Sequence, residues 1–200
     1  MKIKICGLTR LVDVEAVNAL KPDYVGFVFA PTSKRRLTRD RAAELKRALD
    51  PTIEAVGVFV DETPENVAKL LDDRAIDLAQ LHGSEDDAYI RALRKLTAKP
   101  IVKAFRVRSE QDVLDAENSS ADHILLDAGA GTGTTFDWSL LRKIRRPYFL
   151  AGGLNLDNID AALELEPFAV DVSSGVETDG LKDQKKMAEF VAAVRKKDIR

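Results

Sequence analysis

The 200-residue sequence predicts an α/β fold, a single-domain (βα)8 barrel of the TIM type covering residues 1–200. Three observations predict it. Short β-branched runs alternate with longer stretches of helical period along the whole chain. The runs are apolar nearly throughout, as in strands covered on both faces. The strand–helix pairs number eight, and consecutive pairs of this kind build a parallel sheet. An open doubly wound sheet is the competing arrangement. A count of eight favours closure, at the short end of the barrel size range.

Each element has its own signal. KIKIC (2–6) alternates lysine with isoleucine and leads into a helical stretch near 10–19. YVGFVF (24–29) is paired with 38–49, and EAVGVFV (54–60) with 64–73, which Thr63 and Pro64 open with Asn66 near. LAQLH (78–82) precedes 85–96, opened by Ser84 before Glu85. IVKAFRV (101–107) precedes 109–117, opened by Ser109 before Glu110. HILLDA (123–128) runs into the glycine-rich AGAGTGTT (128–135) and then 137–144. YFLAG (148–152) precedes 155–164, with Asn155 before Asp157 as the start. AVDVSS (169–174) precedes 183–196. No linker or low-complexity segment divides the chain.

Composition narrows the function classes. The chain is 45% apolar and 32% charged with a net charge of −2, so neither a nucleic-acid nor a membrane partner is expected. No apolar run has the length of a membrane span, and MKIKICG lacks a signal peptide's apolar region. One cysteine makes no intrachain disulfide and no cysteine-based zinc or iron–sulfur site, and a cytoplasmic location is expected. A monomer is preferred over a homodimer.

In such barrels the chemistry stands at the C-terminal strand ends. Side-chain alternation puts Lys4 and Cys6 on the inward face of the first strand, Gln80 and His82 on one face of the fourth, and Asp171 and Ser173 on one face of the eighth. The eighth strand closes against the first, so Lys4 and Asp171 are expected to pair at similar depth. Gly152-Gly153 and Ser173-Ser174-Gly175 end the last two strands. Small residues and backbone N–H groups at that position make a phosphate cup. Read one at a time, several residues have plainer accounts. A lone inward cysteine is a small buried hydrophobe, Asp127 a turn residue, Arg35 one of a solvated basic run, and His82 a hydrogen-bonded structural residue. Lys103 belongs to an internal polar network and Trp138 to packing.

The segments KICG, GFVF-P-SKR, VGVFV, QLHG, LLD, FDW, GGL and VDVSSGVE occur in an order that resembles the phosphoribosylanthranilate isomerase family of tryptophan biosynthesis. The resemblance runs from the first strand to the eighth. It implies a barrel with no cofactor and no metal. It implies an Amadori rearrangement of N-(5-phosphoribosyl)anthranilate to 1-(2-carboxyphenylamino)-1-deoxyribulose 5-phosphate. Asp127 would be the general acid, with its carboxyl raised to hold a proton. Cys6 would be the general base, with its thiol lowered and Gly7 leaving space for the sugar. Arg35 would clamp the anthranilate carboxylate, and His82 and Asp171 would line the pocket. Gly152, Gly153, Ser173, Ser174 and Gly175 would hold the phosphate. The loop GTGTTFDW departs from the family, many members of which carry a lysine there.

Three rival functions differ in their chemistry. A related sugar isomerase would end the first strand in aspartate, where Cys6 stands. A Schiff-base aldolase would need a reactive Lys4 or Lys103. A silent phosphate-ligand binding protein would not need Cys6 and Asp127 together.

Overall fold

The computed structural model describes residues 1–127 and 138–197. Eight parallel strands close in sequence order into a barrel. They are β1 (Lys2–Cys6), β2 (Tyr24–Val28), β3 (Glu54–Phe59), β4 (Leu78–Leu81), β5 (Ile101–Arg106), β6 (His123–Asp127), β7 (Tyr148–Ala151) and β8 (Ala169–Val172). The helices between them are α1 (Leu11–Leu20), α2 (Arg39–Ala48), α3 (Pro64–Asp72), α4 (Asp87–Leu96), α5 (Glu110–Glu117), α6 (Ile159–Leu163) and α7 (Gln184–Lys197). Between β6 and β7 the expected helix is a 3-10 helix, Trp138–Lys143. No helix of the described residues is long and apolar enough to cross a membrane.

The expected helix starts hold in two places and shift in two. Thr63 accepts from the Asn66 N–H with Pro64 in the first turn, and Ser109 forms a reciprocal capping box with Asp112. Ser84 does not open α4. Its hydroxyl donates to Asp61 Oδ1 at 2.8 Å and Glu85 is drawn inward, so Asp86 caps the helix instead. Asn155 does not open α6 either. It accepts from the N–H groups of Asp157 and Asn158, forming a turn before Asn158 at the helix cap.

β8 stops at Val172, two residues before the expected end, because the chain turns at Ser173 into a 3-10 helix, Ser174–Val176. A small antiparallel hairpin of β9 (Glu177–Thr178) and β10 (Leu181–Lys182) follows. Its tip is Asp179-Gly180, both with positive φ. Asp-Gly suits a tight hairpin turn, and this was a readable signal in the sequence.

Two apolar layers share the strands. Ile3, Ile5, Val25, Phe27, Ala79 and Leu81 face the helices in the large core. Tyr24, Val56, Leu78, Val102, Leu125, Phe149 and Ala169 fill the barrel interior. The N-terminal floor is aromatic: His123 stacks on Phe168, with centroids 5.8 Å apart, far from the rim chemistry.

Above that floor the interior turns polar. Lys4 is paired in register with Asp171, and its Nζ lies 2.6 Å from Asp171 Oδ2 with both side chains buried. Burial alone would lower the lysine, but the charges and hydrogen bonds of Asp171 and Cys6 together overcome it and hold Lys4 above its usual range. Removing one member of such a pair strands a buried charge. Lys4→Met alone should therefore lower unfolding free energy by about 3–5 kcal/mol. Lys4→Met with Asp171→Leu should recover most of the loss. Urea unfolding of the wild type, Lys4→Met, Asp171→Leu and the double variant measures the coupling, and strictly additive effects would reject it.

Candidate active site

The C-terminal rim gathers two hydrogen-bonded arms around Cys6. The first crosses the barrel. Lys4 Nζ donates to Gln80 Oε1 at 2.8 Å as well as to Asp171. Gln80 Nε2 lies 2.9 Å from His82 Nδ1. His82 Nε2 lies 3.2 Å from Asp127 Oδ2. Strand alternation explains the sequence of contacts, since Gln80 on β4 and His82, just past its end, lie two residues apart on one face. Asp171 Oδ1 is buried and has no partner among the described residues.

The second arm comes from the loops. Arg35 donates to Glu177 from Nε at 2.7 Å and from Nη2 at 2.6 Å, a two-pronged pair. Lys182 is also paired with Glu177 and donates to the Ser173 carbonyl at 3.0 Å. The Ser173 hydroxyl donates to the Cys6 carbonyl at 3.0 Å. Glu177 and Lys182 are functional candidates that sequence reasoning missed. Glu177 closes the VDVSSGVE segment and Lys182 sits in the hairpin, but nothing local says that they meet Arg35. Burial pushes Glu177 up, yet its bonds to Arg35 and Lys182 prevail and hold it below the usual carboxylate range.

Cys6 stands at the end of β1, partly buried against Val28, Ala30 and Val58. Gly26 is its register partner on β2. A Cβ at Gly26 would come within 2.4 Å of the Cys6 sulfur, so glycine there makes the thiol's berth. The expected lowering of the thiol is overturned. Burial, joined by the nearby Asp171 charge, pushes Cys6 up and outweighs the opposing pull of Lys4 and Lys182. The expected space at Gly7 is corrected as well. Gly7 has φ +88° and a Cβ there would lie 2.5 Å from Arg35 Cδ. Its room is taken by the arginine stem, so Gly7 seats Arg35 over the end of β1.

The two glycine-rich strand ends meet. Gly152 and Gly153 both have positive φ. A Cβ on Gly175 would lie 1.9 Å from the Leu154 carbonyl oxygen, so the loop after β7 packs directly on the Ser174–Val176 turn. Ser173 has its hydroxyl turned back to β1. The 128–135 loop lies outside the described residues. Lys103, expected in an internal network, does form one, but on the helix side of the wall. Its neighbours Val102 and Ala104 face the interior, and its Nζ donates to Glu85 at 2.9 Å and to the Gly83 carbonyl at 2.8 Å. Glu85 also accepts from the Asp61 and Gly83 N–H groups, which knits the loops after β3 and β4. Neither Lys103 nor Lys4 is an uncommitted amine of the kind a Schiff-base aldolase needs. Trp138 packs against the outer core. Among the described residues no three His, Cys, Asp or Glu side chains gather as a metal site requires.

Residues 3–193 match the family model for N-(5'-phosphoribosyl)anthranilate (PRA) isomerase. The chain is 48% identical over 200 residues to the N-(5'-phosphoribosyl)anthranilate isomerase of Endomicrobium trichonymphae, covering 97% of this chain and 98% of the relative. The crystal structure of phosphoribosyl anthranilate isomerase from Thermotoga maritima superimposes with a TM-score of 0.90 at 38% identity, covering 98% and 99% of the two chains. A structure of that enzyme type in complex with reduced 1-(o-carboxyphenylamino)-1-deoxyribulose 5-phosphate gives a TM-score of 0.87 at 37% identity, with coverage of 98% and 99%.

A raised thiol has a direct chemical readout, and the chain has one cysteine. Only the thiolate alkylates. In the free protein, the rate of Cys6 modification by iodoacetamide should keep climbing as pH rises past 9.0, the ordinary midpoint. Mass spectrometry of quenched samples follows it. A plateau reached well below that midpoint would show that the two lysines outweigh burial.

Proposed function

The chain belongs to the N-(5'-phosphoribosyl)anthranilate isomerase family and is an isomerase of tryptophan biosynthesis, and we propose that Asp127 and Cys6 perform its proton transfers as general acid and general base. One observation carries this reading. The two residues end β6 and β1 on the same rim, and the hydrogen-bonded chain from Asp127 through His82 and Gln80 reaches Lys4, whose charge acts on Cys6.

The proposed substrate is N-(5-phosphoribosyl)anthranilate. Asp127 gives a proton to the furanose ring oxygen, the C1–O bond breaks, and the nitrogen lone pair forms the C1=N⁺ iminium. Cys6 thiolate then takes the proton from C2, and the C2–H electrons flow into the iminium to give an enolamine. Gain of a proton at C1 and loss of the O2 proton leave the 2-keto product. The iminium acidifies C2–H, and its positive charge beside Cys6 favours the thiolate. This offsets the burial that raises the resting thiol.

The remaining residues bind and orient. The Arg35 guanidinium has five N–H donors, of which two go to Glu177. The fixed fork can meet the anthranilate carboxylate while Glu177 holds it still. Backbone N–H groups of Gly152, Gly153, Ser174 and Gly175 are the phosphate donors, and Ser173 supports them through its bond to β1. His82 and Asp171 line the pocket. Asp171 Oδ1 would accept from a substrate N–H or O–H.

Turnover is tested by generating the substrate in situ and following the loss of its anthranilate fluorescence. Absence of turnover rejects the reading. Asp127→Asn and Cys6→Ala should each lower kcat by about 10²–10⁴-fold while moving KM far less, since a proton transfer made in the transition state is lost. Near-full kcat in either variant removes that residue from its role. Arg35→Met should instead act mainly on KM. An unchanged KM would assign the carboxylate to another group.

A further inference from the structure

Gln80 reads as more than a pocket neighbour. The polarity of the chain that it joins follows from its first member. Lys4 Nζ carries three protons and can only donate. It is held as an ammonium by Asp171, 2.6 Å away. The Gln80 amide must therefore turn its oxygen toward Lys4, at 2.8 Å. With the amide turned over, its NH2 would face the ammonium, donor against donor, inside the barrel. The same amide then has only its NH2 left for His82 Nδ1, 2.9 Å away. A nitrogen that accepts from an amide carries no proton. The single ring proton of neutral His82 must then sit on Nε2, directed at Asp127 Oδ2 at 3.2 Å.

We propose that Gln80 is a positioning residue for the reaction, which reads the fixed charge of Lys4 and sets His82 in the neutral Nε2–H tautomer that donates to Asp127. The catalytic meaning rests on the reading of Asp127 as the acid, whereas the tautomer itself does not. An imidazolium beside Asp127 would hold the carboxyl ionised as one half of an ion pair, unable to give a proton. A neutral Nε2–H orients the carboxyl without that charge. Ring protonation would place an N–H on Nδ1, against the Gln80 NH2, and the amide cannot turn to accept it without opposing Lys4. Glutamine is suited to this place because one planar group carries both an acceptor and a donor. Glutamate would accept from both sides and remove the polarity.

The test is spectroscopic and uses no substrate, so an inactive enzyme does not confuse it. The chain has two histidines, His82 and His123. Long-range proton–nitrogen correlation spectra of ¹⁵N-histidine protein, with His123→Gln for assignment, report which ring nitrogens are protonated. Near neutral pH the wild-type protein should show His82 protonated at Nε2 and bare at Nδ1. In Gln80→Glu, Nδ1 should gain a proton. A wild-type His82 protonated at Nδ1 overturns the proposal, as does a Gln80→Glu variant with Nδ1 still bare. The wild-type spectrum decides alone if the variant does not fold. In the folded variant kcat should fall about tenfold or more, with KM little changed. An unaltered kcat would reduce Gln80 to a structural role.

Discussion

The interior of this barrel is organised by one ammonium group. Lys4 stands in the first strand, fully buried, where a charge is costly unless every donor is matched. Asp171 and Gln80 accept from it, and the Cys6 sulfur adds a further attractive contact. These partners come from β8, β4 and β1 itself. The Lys4–Asp171 pair also sits at the seam where the sheet closes, because β8 and β1 are the first and last strands of the ring. A slip of register at that seam would move one charge to the helix side of the wall. Closure and the polarity of the active rim thus rest on the same contact.

Much of this was legible from period-2 alternation alone. KIKIC places Lys4 beneath Cys6, LAQLH places Gln80 beneath His82, and AVDVSS places Asp171 on the inward face. The order of strands then sets Asp171 beside Lys4. What escaped the sequence depends on distance or on a balance of opposing effects. Arg35 and Glu177 are 142 residues apart, and no local pattern joins them. The direction of the Cys6 shift depends on burial and the Asp171 charge set against two lysines, a sum that needs coordinates. Ser84 was displaced as a helix cap because Asp61, from another loop, claimed its hydroxyl. Lys103 shows the limit of polarity as a guide. A buried lysine in mid-strand suggests the barrel interior, yet it turns outward to Glu85.

The loops contribute a second, more adjustable layer. Arg35, Glu177, Lys182 and Ser173 form a continuous series that returns to the carbonyl of Cys6. The hairpin that carries Glu177 and Lys182 is further tied to the start of α1 by Arg10, which donates to the Lys182 carbonyl at 2.8 Å. The strands fix Lys4, Cys6 and Asp171, whereas Arg35, Ser173, Glu177 and Lys182 stand on loops and the small hairpin. This division lets the loop residues change without disturbing the interior charge pair.

The glycine at position 26 carries a consequence for how such a chain can diverge. Its missing side chain is the space that the Cys6 sulfur occupies, with only 2.4 Å available to a Cβ. Positions 6 and 26 share one volume across two neighbouring strands. A Cβ at 26 would also meet the Cys6 Cα at 2.9 Å and its Cβ at 3.0 Å, so loss of the sulfur alone would not open the position. Whatever stands at 6, a side chain at 26 would require the first two strands to part at the rim, so the glycine fixes how closely they approach there.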